Sequence, residues 1–280
     1  MTSPSLRTQG ADRDRPDSWQ LLMFEKSLKK KQKLALLLRQ VGDLSGKQCL
    51  LITNGDNNGA LNWHCRQHGG SWVWVENESE HIDEMRGFLQ EPVLKGQPDS
   101  IPVEDGSQDV VISIDVHEHL DDCEVFNREL ARVTRPGGTV VVTTPNGDSW
   151  KPVTVLKHLL GMKKEQYGHK VVGFNRRQHE EMLGRVGLTT VSAGSYSRFF
   201  TELLELGINF AYVKVLSRKS REKVSAGTIA PSSGKQLNSV GKQFRLYAAI
   251  YPFLSTISKL DLLLTPLTGY AVSVVARKDP

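Results

Sequence analysis

The chain has 280 residues, a formal net charge of +5 and a pI near 9.0, a length that suits one α/β domain with extensions or at most two small ones. Its 39% of hydrophobic residues can fill a sizeable core, and its three cysteines, Cys49, Cys65 and Cys123, form no CxxC pair. Composition therefore excludes a disulfide framework and a cysteine-based zinc site, and a reducing compartment such as the cytoplasm fits.

In chain order, the polar residues 1–17 read as a disordered tail without the apolar core of a secretory signal. A helix is expected over 18–42, with Leu28, Leu34, Leu37, Leu38 and Val41 as its stripe and "KKKQK" beside it. Strand and helix signals then alternate. "KQCLLIT" is the first strand, residues 60–68 a helix, "SWVWVE" the second strand, and residues 79–88 the second helix. "VLKGQ" and "DVVISID" are the third and fourth strands. A helix over 126–133 stops at Pro136-Gly137-Gly138, and "TVVVTTP" is the fifth strand. After a variable segment, 147–170, come a helix over 176–186 and a sixth strand, "LTTVSAGSY". Residues 199–210 are apolar and partly helical. Residues 217–242 read as a flexible loop, 244–264 as helix broken at Pro252, and "GYAVSVVARK" as the last strand. No apolar run reaches membrane-spanning length, because Pro252, Ser258-Lys259, Asp261 and Pro266 interrupt the closest one.

Strands separated by helices at this interval imply βαβ units in a mostly parallel, doubly wound sheet. Ligands in such sheets lie beyond the carboxyl ends of the strands. The residues there are 53–59, Glu76, 97–102, 115–119 and 145–146.

Three segments in order, "IPVEDGSQDVVISIDVHEHLDD", "RELARVTRPGGTVVVTTPNG" and "GHKVVGFNRRQHEEMLGRVGL", resemble successive motifs of class I S-adenosylmethionine-dependent methyltransferases, most closely the small-molecule, type 11-like subgroup. The resemblance covers about residues 47–195 and implies a Rossmann-like sheet of seven strands with the last antiparallel. The methyltransferase domain would then run over 46–280, preceded by the helix within 18–45 and elaborated at 217–264. S-adenosyl-L-methionine is the implied cofactor and a small-molecule or lipid-like compound the implied acceptor. A degenerate, non-catalytic member that keeps the fold as a binding or scaffold module is the alternative. A nicotinamide-dependent oxidoreductase shares the first turn and Glu76, but leaves "PGG…TPNG" and "HEH" without a role.

The turn "LITNGDNNG" departs from the family pattern. Thr53 stands where an acid is expected and Asn57 where a middle glycine is expected, while Gly55 and Gly59 remain. Asparagine tolerates the left-handed backbone, so a tight turn is still feasible. The resemblance assigns the cofactor to Thr53, Gly55, Asp56, Gly59, Glu76, Gln97, Asp99 and Asp115, with Asp56 a substitute for the missing acid and Glu76 on the ribose. Three roles stand open for His119: hydrogen bonding within its loop, a general base, or, with Asp115 and Glu118, a divalent-cation ligand; no metal is assigned. His169, Arg198 and Phe199 are acceptor-pocket candidates, with packing as the competing reading. Basic residues lack the aromatic interleaving of a nucleic-acid surface. The "KKKQK" helix and residues 244–264 either rest on an anionic membrane surface or, the preferred reading, bury their apolar faces on the sheet.

Overall fold

The computed structural model describes residues 18–55, 57–162, 168–211 and 234–280, with side chains described for all of these except 211 and 234–243. The tail 1–17, Asp56 and most of the loop expected over 217–242 lie outside them. Seven strands pair into one sheet: β1 Gln48–Thr53, β2 Ser71–Glu76, β3 Val93–Lys95, β4 Gln108–Ile114, β5 Thr134–Pro145, β6 Leu188–Tyr196 and β7 Ala271–Lys278. Their order is β3-β2-β1-β4-β5-β7-β6. The pairs β1–β2, β1–β4, β2–β3 and β4–β5 are parallel, while β7 runs antiparallel between β5 and β6. This is the Rossmann-like, doubly wound sheet with a reversed last strand that the motifs imply.

Consecutive residues of the central strands are buried on both faces, as sheets covered by helices on two sides require. Leu51, Trp74 and Ile112 pack on one side with Leu37 and Met85; Leu50, Ile52, Val111 and Val140 pack on the other with Phe126 and Leu130. The register sets Thr53 opposite Glu76 on β2 and opposite Ile114 on β4. Three strand ends thus meet at one edge, where the chain order reverses from β1 to β4.

The helices are α1 Trp19–Glu25, α2 Leu28–Val41, α3 Ala60–Arg66, α4 Ser79–Leu89, α5 Cys123–Val133, α6 Pro152–Leu159, α7 Arg176–Gly184, α8 Phe199–Ala211 and α9 Gly234–Ser258. The single helix expected over 18–42 is two. Ser27 adopts extended backbone and its side chain accepts from the Lys30 N–H, which starts α2 afresh. Helix α9 begins at Gly234, so the expected loop ends earlier than residue 242, and it continues through Pro252 to a 3-10 turn, Lys259–Leu264. Pro252 lies on the exposed side of α9, and the helix continues through it without a break. Asp122 caps α5, and Asn175 with Gln178 forms a capping box on α7.

Helix α2 lies against the sheet, not on the surface. Leu28, Leu36, Leu37 and Val41 are buried, and a Cβ on Gly194 of β6 would stand 2.9 Å from Leu36 Cδ1. Its lysines follow it inward. Lys33 is buried with the leucines, Lys29 pairs with Glu202 at 3.1 Å, and Lys31 Nζ donates to Tyr251 Oη at 3.3 Å. The basic run is tied into the protein and does not form a free cationic face.

Candidate active site

The loop after β1 is stitched by side chains. The Glu76 carboxylate, fully buried at the tip of β2, accepts from Thr53 Oγ1 at 2.6 Å, from the Gly55 N–H at 2.8 Å and from the Glu78 N–H at 2.7 Å. Burial raises its proton affinity and these three donors pull it back, with a net upward shift. Asn57 Nδ2 donates to Thr53 Oγ1 at 3.2 Å and to Asn62 Oδ1 at 2.6 Å, while Asn57 Oδ1 accepts from the Gly59 N–H at 3.0 Å. Asn58 Oδ1 accepts from the Ala60 N–H at 3.1 Å, one of the donors that a helix start leaves over. The asparagines in glycine positions therefore act as local caps, as their short amides permit. Gly55 and Gly59 keep the left-handed φ of +79° and +88°. A Cβ at Gly59 would approach Phe88 Cδ1 to 2.9 Å, so the turn needs both the conformation and the space.

Above this loop a narrow cleft of about 30 Å³, partly open to solvent, separates α1 and α2 from the strand tips. Phe24, Lys30 and Lys33 form one wall; Thr53, Asn54, Asn57, Asn58, Ile114 and Asp115 form the floor and the other wall. Glu76 is tucked beneath, its carboxylate turned to the loop. Asp115 has φ +51°, which an aspartate tolerates better than most residues. Its Oδ2 pairs with Lys33 Nζ, and its Oδ1 accepts from Thr143 Oγ1 at 3.2 Å. Burial pushes Asp115 up, but the Lys33 ammonium outweighs it and holds the carboxyl below its ordinary range.

The next residues form a 3-10 turn, His117–His119. His117 is buried, its Nε2 donating to Asn127 Oδ1 at 2.8 Å; burial lowers its pKa to about 4 against the opposing pull of that bond. Its ring lies 5.5 Å from that of His179, which burial, and then His117, lowers to about 3. Glu118 is 1% exposed, its Oε2 has no hydrogen-bond partner, and burial, then Asp115, raise it well above the carboxylate range. His119 Nδ1 lies 3.2 Å from the Gly168 carbonyl, which can only accept, so Nδ1 carries the proton and Nε2 the lone pair. The His119 and His169 rings meet edge to face at 4.7 Å. Glu118, His119 and His169 each bring one ligand atom to within 4.8 Å of the others, a nitrogen-rich set suited to a borderline divalent cation. Asp115, committed to Lys33, is not in that set.

The remaining sequence candidates lie elsewhere. Gln97 and Asp99 are exposed in the turn after β3, where Gln97 pairs with Ser100, and neither lines the cleft. Asp56 is outside the described residues. The Arg198 guanidinium donates to the Leu267 and Thr265 carbonyls at 3.1 and 3.2 Å, strapping α8 to the segment before β7. Phe199 is partly exposed beside Phe200. Lys33 and Asn62 are site residues that the sequence reading does not single out, whereas Asn58 falls within the expected strand-end segment 53–59. For Lys33 the usable signal was its place within the leucine stripe.

Residues 55–142 match the model of the family described as methyltransferase domain. A protein named a probable S-adenosylmethionine-dependent methyltransferase, from Mycolicibacterium smegmatis, is 44% identical over 60 residues, 21% of this chain and 23% of that protein. The chain thus spans about a quarter of the length of the curated relatives that it matches. Among solved structures, the Haemonchus contortus phosphoethanolamine N-methyltransferase 2, in complex with phosphomonomethylethanolamine and S-adenosylhomocysteine, superposes with a TM-score of 0.57 at 17% identity, covering 93% of this chain and 57% of that one. The [4+2]-cyclase SpnF superposes with a TM-score of 0.55 at 14% identity, covering 89% of this chain and 81% of that one. Its name shows that the fold alone does not fix a reaction.

Sheet order, reversed last strand and a cleft at the strand tips define the methyltransferase-type Rossmann fold. Residues 55–142, which match the methyltransferase domain, supply most of the floor of that cleft, so the chain is similar to S-adenosylmethionine-dependent methyltransferases in this segment and shares their fold.

Proposed function

We propose that the protein transfers a methyl group from S-adenosyl-L-methionine to a small-molecule or lipid-like acceptor by in-line displacement. The observation that carries this reading is the cleft over β1 and β4, where Asn57 and Asp115, both inside the segment that matches the methyltransferase domain, meet Thr53 at the tip of β1. Adenosine would lie toward Glu76, which would exchange its Thr53 bond for ribose hydroxyls, and the methionine end toward Asp115. Gln97 and Asp99 are proposed at the adenine edge, with Asp56 beside the turn.

The chemistry asks for alignment more than for a protein nucleophile. S-adenosyl-L-methionine would supply an activated methyl group, which the residues at the tips of β1 and β4 would hold in line with the acceptor, and a proton would have to leave the acceptor. Positioning of this kind supplies roughly 7–11 kcal/mol. His119 is the candidate base, because its Nε2 holds the lone pair, and His169 stands beside it to line the acceptor site. Arg198 and Phe199 would bound that site from α8. Calorimetry of the full chain with S-adenosyl-L-methionine should show saturable binding; its absence at millimolar cofactor would remove the enzyme reading.

A second reading is favoured by the same loop: Asn57 bonded to Thr53 and Asn62, and Glu76 turned under the cleft, suit a fold kept as a binding or scaffold module. It expects neither retained nor added cofactor.

Peripheral membrane association is the proposed location of a cytoplasmic protein. No described helix is long and apolar enough to cross a membrane. Leu262, Leu263 and Leu267, at 70%, 77% and 60% exposure, and Phe253, at 68%, support an interfacial contact better than the lysines of α2 do. Flotation with anionic liposomes should carry wild type upward and leave a Leu262→Ser/Leu263→Ser variant at the bottom; equal flotation would discard the contact.

A further inference from the structure

The buried ion pair between Lys33 and Asp115 spans the cleft from α2 to the tip of β4. Lys33 is only 7% exposed, although lysine normally keeps its ammonium in water. Removing two charges from water is costly, and such a pair adds little to stability by itself. Its placement is therefore better explained by what else could occupy the cleft. Opposite walls present opposite charges, with Lys30 lining the cleft on the side of Lys33. The strand-end residue on the floor, Thr53, offers one hydroxyl and no charge. An amino acid moiety, which carries a carboxylate and an ammonium on one carbon, matches this arrangement with its charges interchanged.

We infer that Lys33 is a specificity-determining residue whose ammonium leaves Asp115 to bind the α-carboxylate of the cofactor's methionine end, while Asp115 takes the α-ammonium. Where the two side chains now satisfy each other, each would hold the opposite charge of the ligand's amino acid end. Thr143 steadies one Asp115 oxygen, at 3.2 Å, so the exchange involves the other. Helix α2 thereby becomes part of the cofactor site, and the acid missing at Thr53 is replaced from a different strand. This inference rests on the cofactor reading above.

The test compares two nucleosides on the full chain by calorimetry: S-adenosylhomocysteine, and 5′-methylthioadenosine, which has no amino acid end. Wild type should bind the first more tightly. Lys33→Met should weaken S-adenosylhomocysteine about tenfold or more and 5′-methylthioadenosine less than about twofold, since charge-assisted bonds are lost to only one of them. Lys33→Arg should retain most of the preference. Should Lys33→Met not fold, the wild-type protein answers the question with S-adenosylhomocysteine esterified at its carboxylate, which should bind about tenfold more weakly than the free acid. Equal weakening of both nucleosides by Lys33→Met, an unchanged affinity for S-adenosylhomocysteine, or an ester that binds as well as the acid would overturn the assignment of Lys33 and leave the cofactor reading in place. Wild type that binds neither nucleoside would overturn both.

Discussion

Glu76→Ala should lower the unfolding free energy by about 2–4 kcal/mol, because it strands a hydroxyl and two backbone N–H groups in a buried site. Thr53 Oγ1, Gly55 N–H and Glu78 N–H lie 2.6–2.8 Å from the carboxylate, and no water-facing alternative exists for a residue with no exposed surface. The loss is not confined to β2. Asn57 hangs from the same Thr53 hydroxyl and caps Gly59, so the whole turn from 53 to 60 loosens. Glu76→Gln keeps the size and one acceptor oxygen, and should cost about half as much. Urea denaturation of the three proteins reads the difference directly. A Glu76→Ala midpoint within experimental error of wild type would mean that the carboxylate is dispensable to the turn. The same variant should abolish cofactor binding if the ribose lies at this strand tip.

Acidification should destabilise the fold through its two buried imidazoles. His117 and His179 titrate at about 4 and about 3 in the folded protein, against 6.5 when unfolded. Both values are depressed, so the stabilising contribution is complete above pH 6.5. It is lost as pH falls, because only the unfolded chain gains protons in that interval. By pH 5 the loss is roughly 2 kcal/mol per histidine. Glu76 and Glu118, whose proton affinities are raised, act in the opposite direction over part of this interval. The informative quantity is therefore a difference: His117→Gln should flatten the decline of stability between pH 7 and pH 5 relative to wild type by up to one proton. Superimposable pH profiles would show that His117 is solvated in the native state.

The sheet was readable because its signals agree at every level. β-branched runs such as "DVVISID" and "TVVVTTP", closed by turn residues, mark strands whichever neighbours they acquire, and alternation with helices dictates parallel pairing. The reversed β7 followed from the family resemblance rather than from the composition of that strand. Within the site, Glu76 and Asp115 were legible as strand-end acids, and the structure brings Thr53 and Asp115 to one cleft, with Gly55 and Gly59 in the adjoining loop. What escaped depends on partners distant in sequence. "KKKQK" looks like a solvated face until β6, α8 and the tip of β4 are packed against it, and then Lys33 and Lys29 find Asp115 and Glu202. Ser27 splits the first helix by a side-chain bond that periodicity does not register. Pro252 is a helix breaker by propensity, yet α9 continues through it. Asn57 departs from the glycine pattern, yet its amide bonds make it a component of the turn.

The position of β7 has a consequence for biosynthesis. β6 is an edge strand whose ladder runs wholly along β7, yet β7 is made some 75 residues later. While the ribosome is still translating that interval, the amino-terminal strands from β1 to β5 can pair, but β6 has nowhere to dock and the outer side of β5 is open. The nascent chain must therefore wait with two unsatisfied strands, and it is the arrival of residues 271–278 that closes both ladders at once.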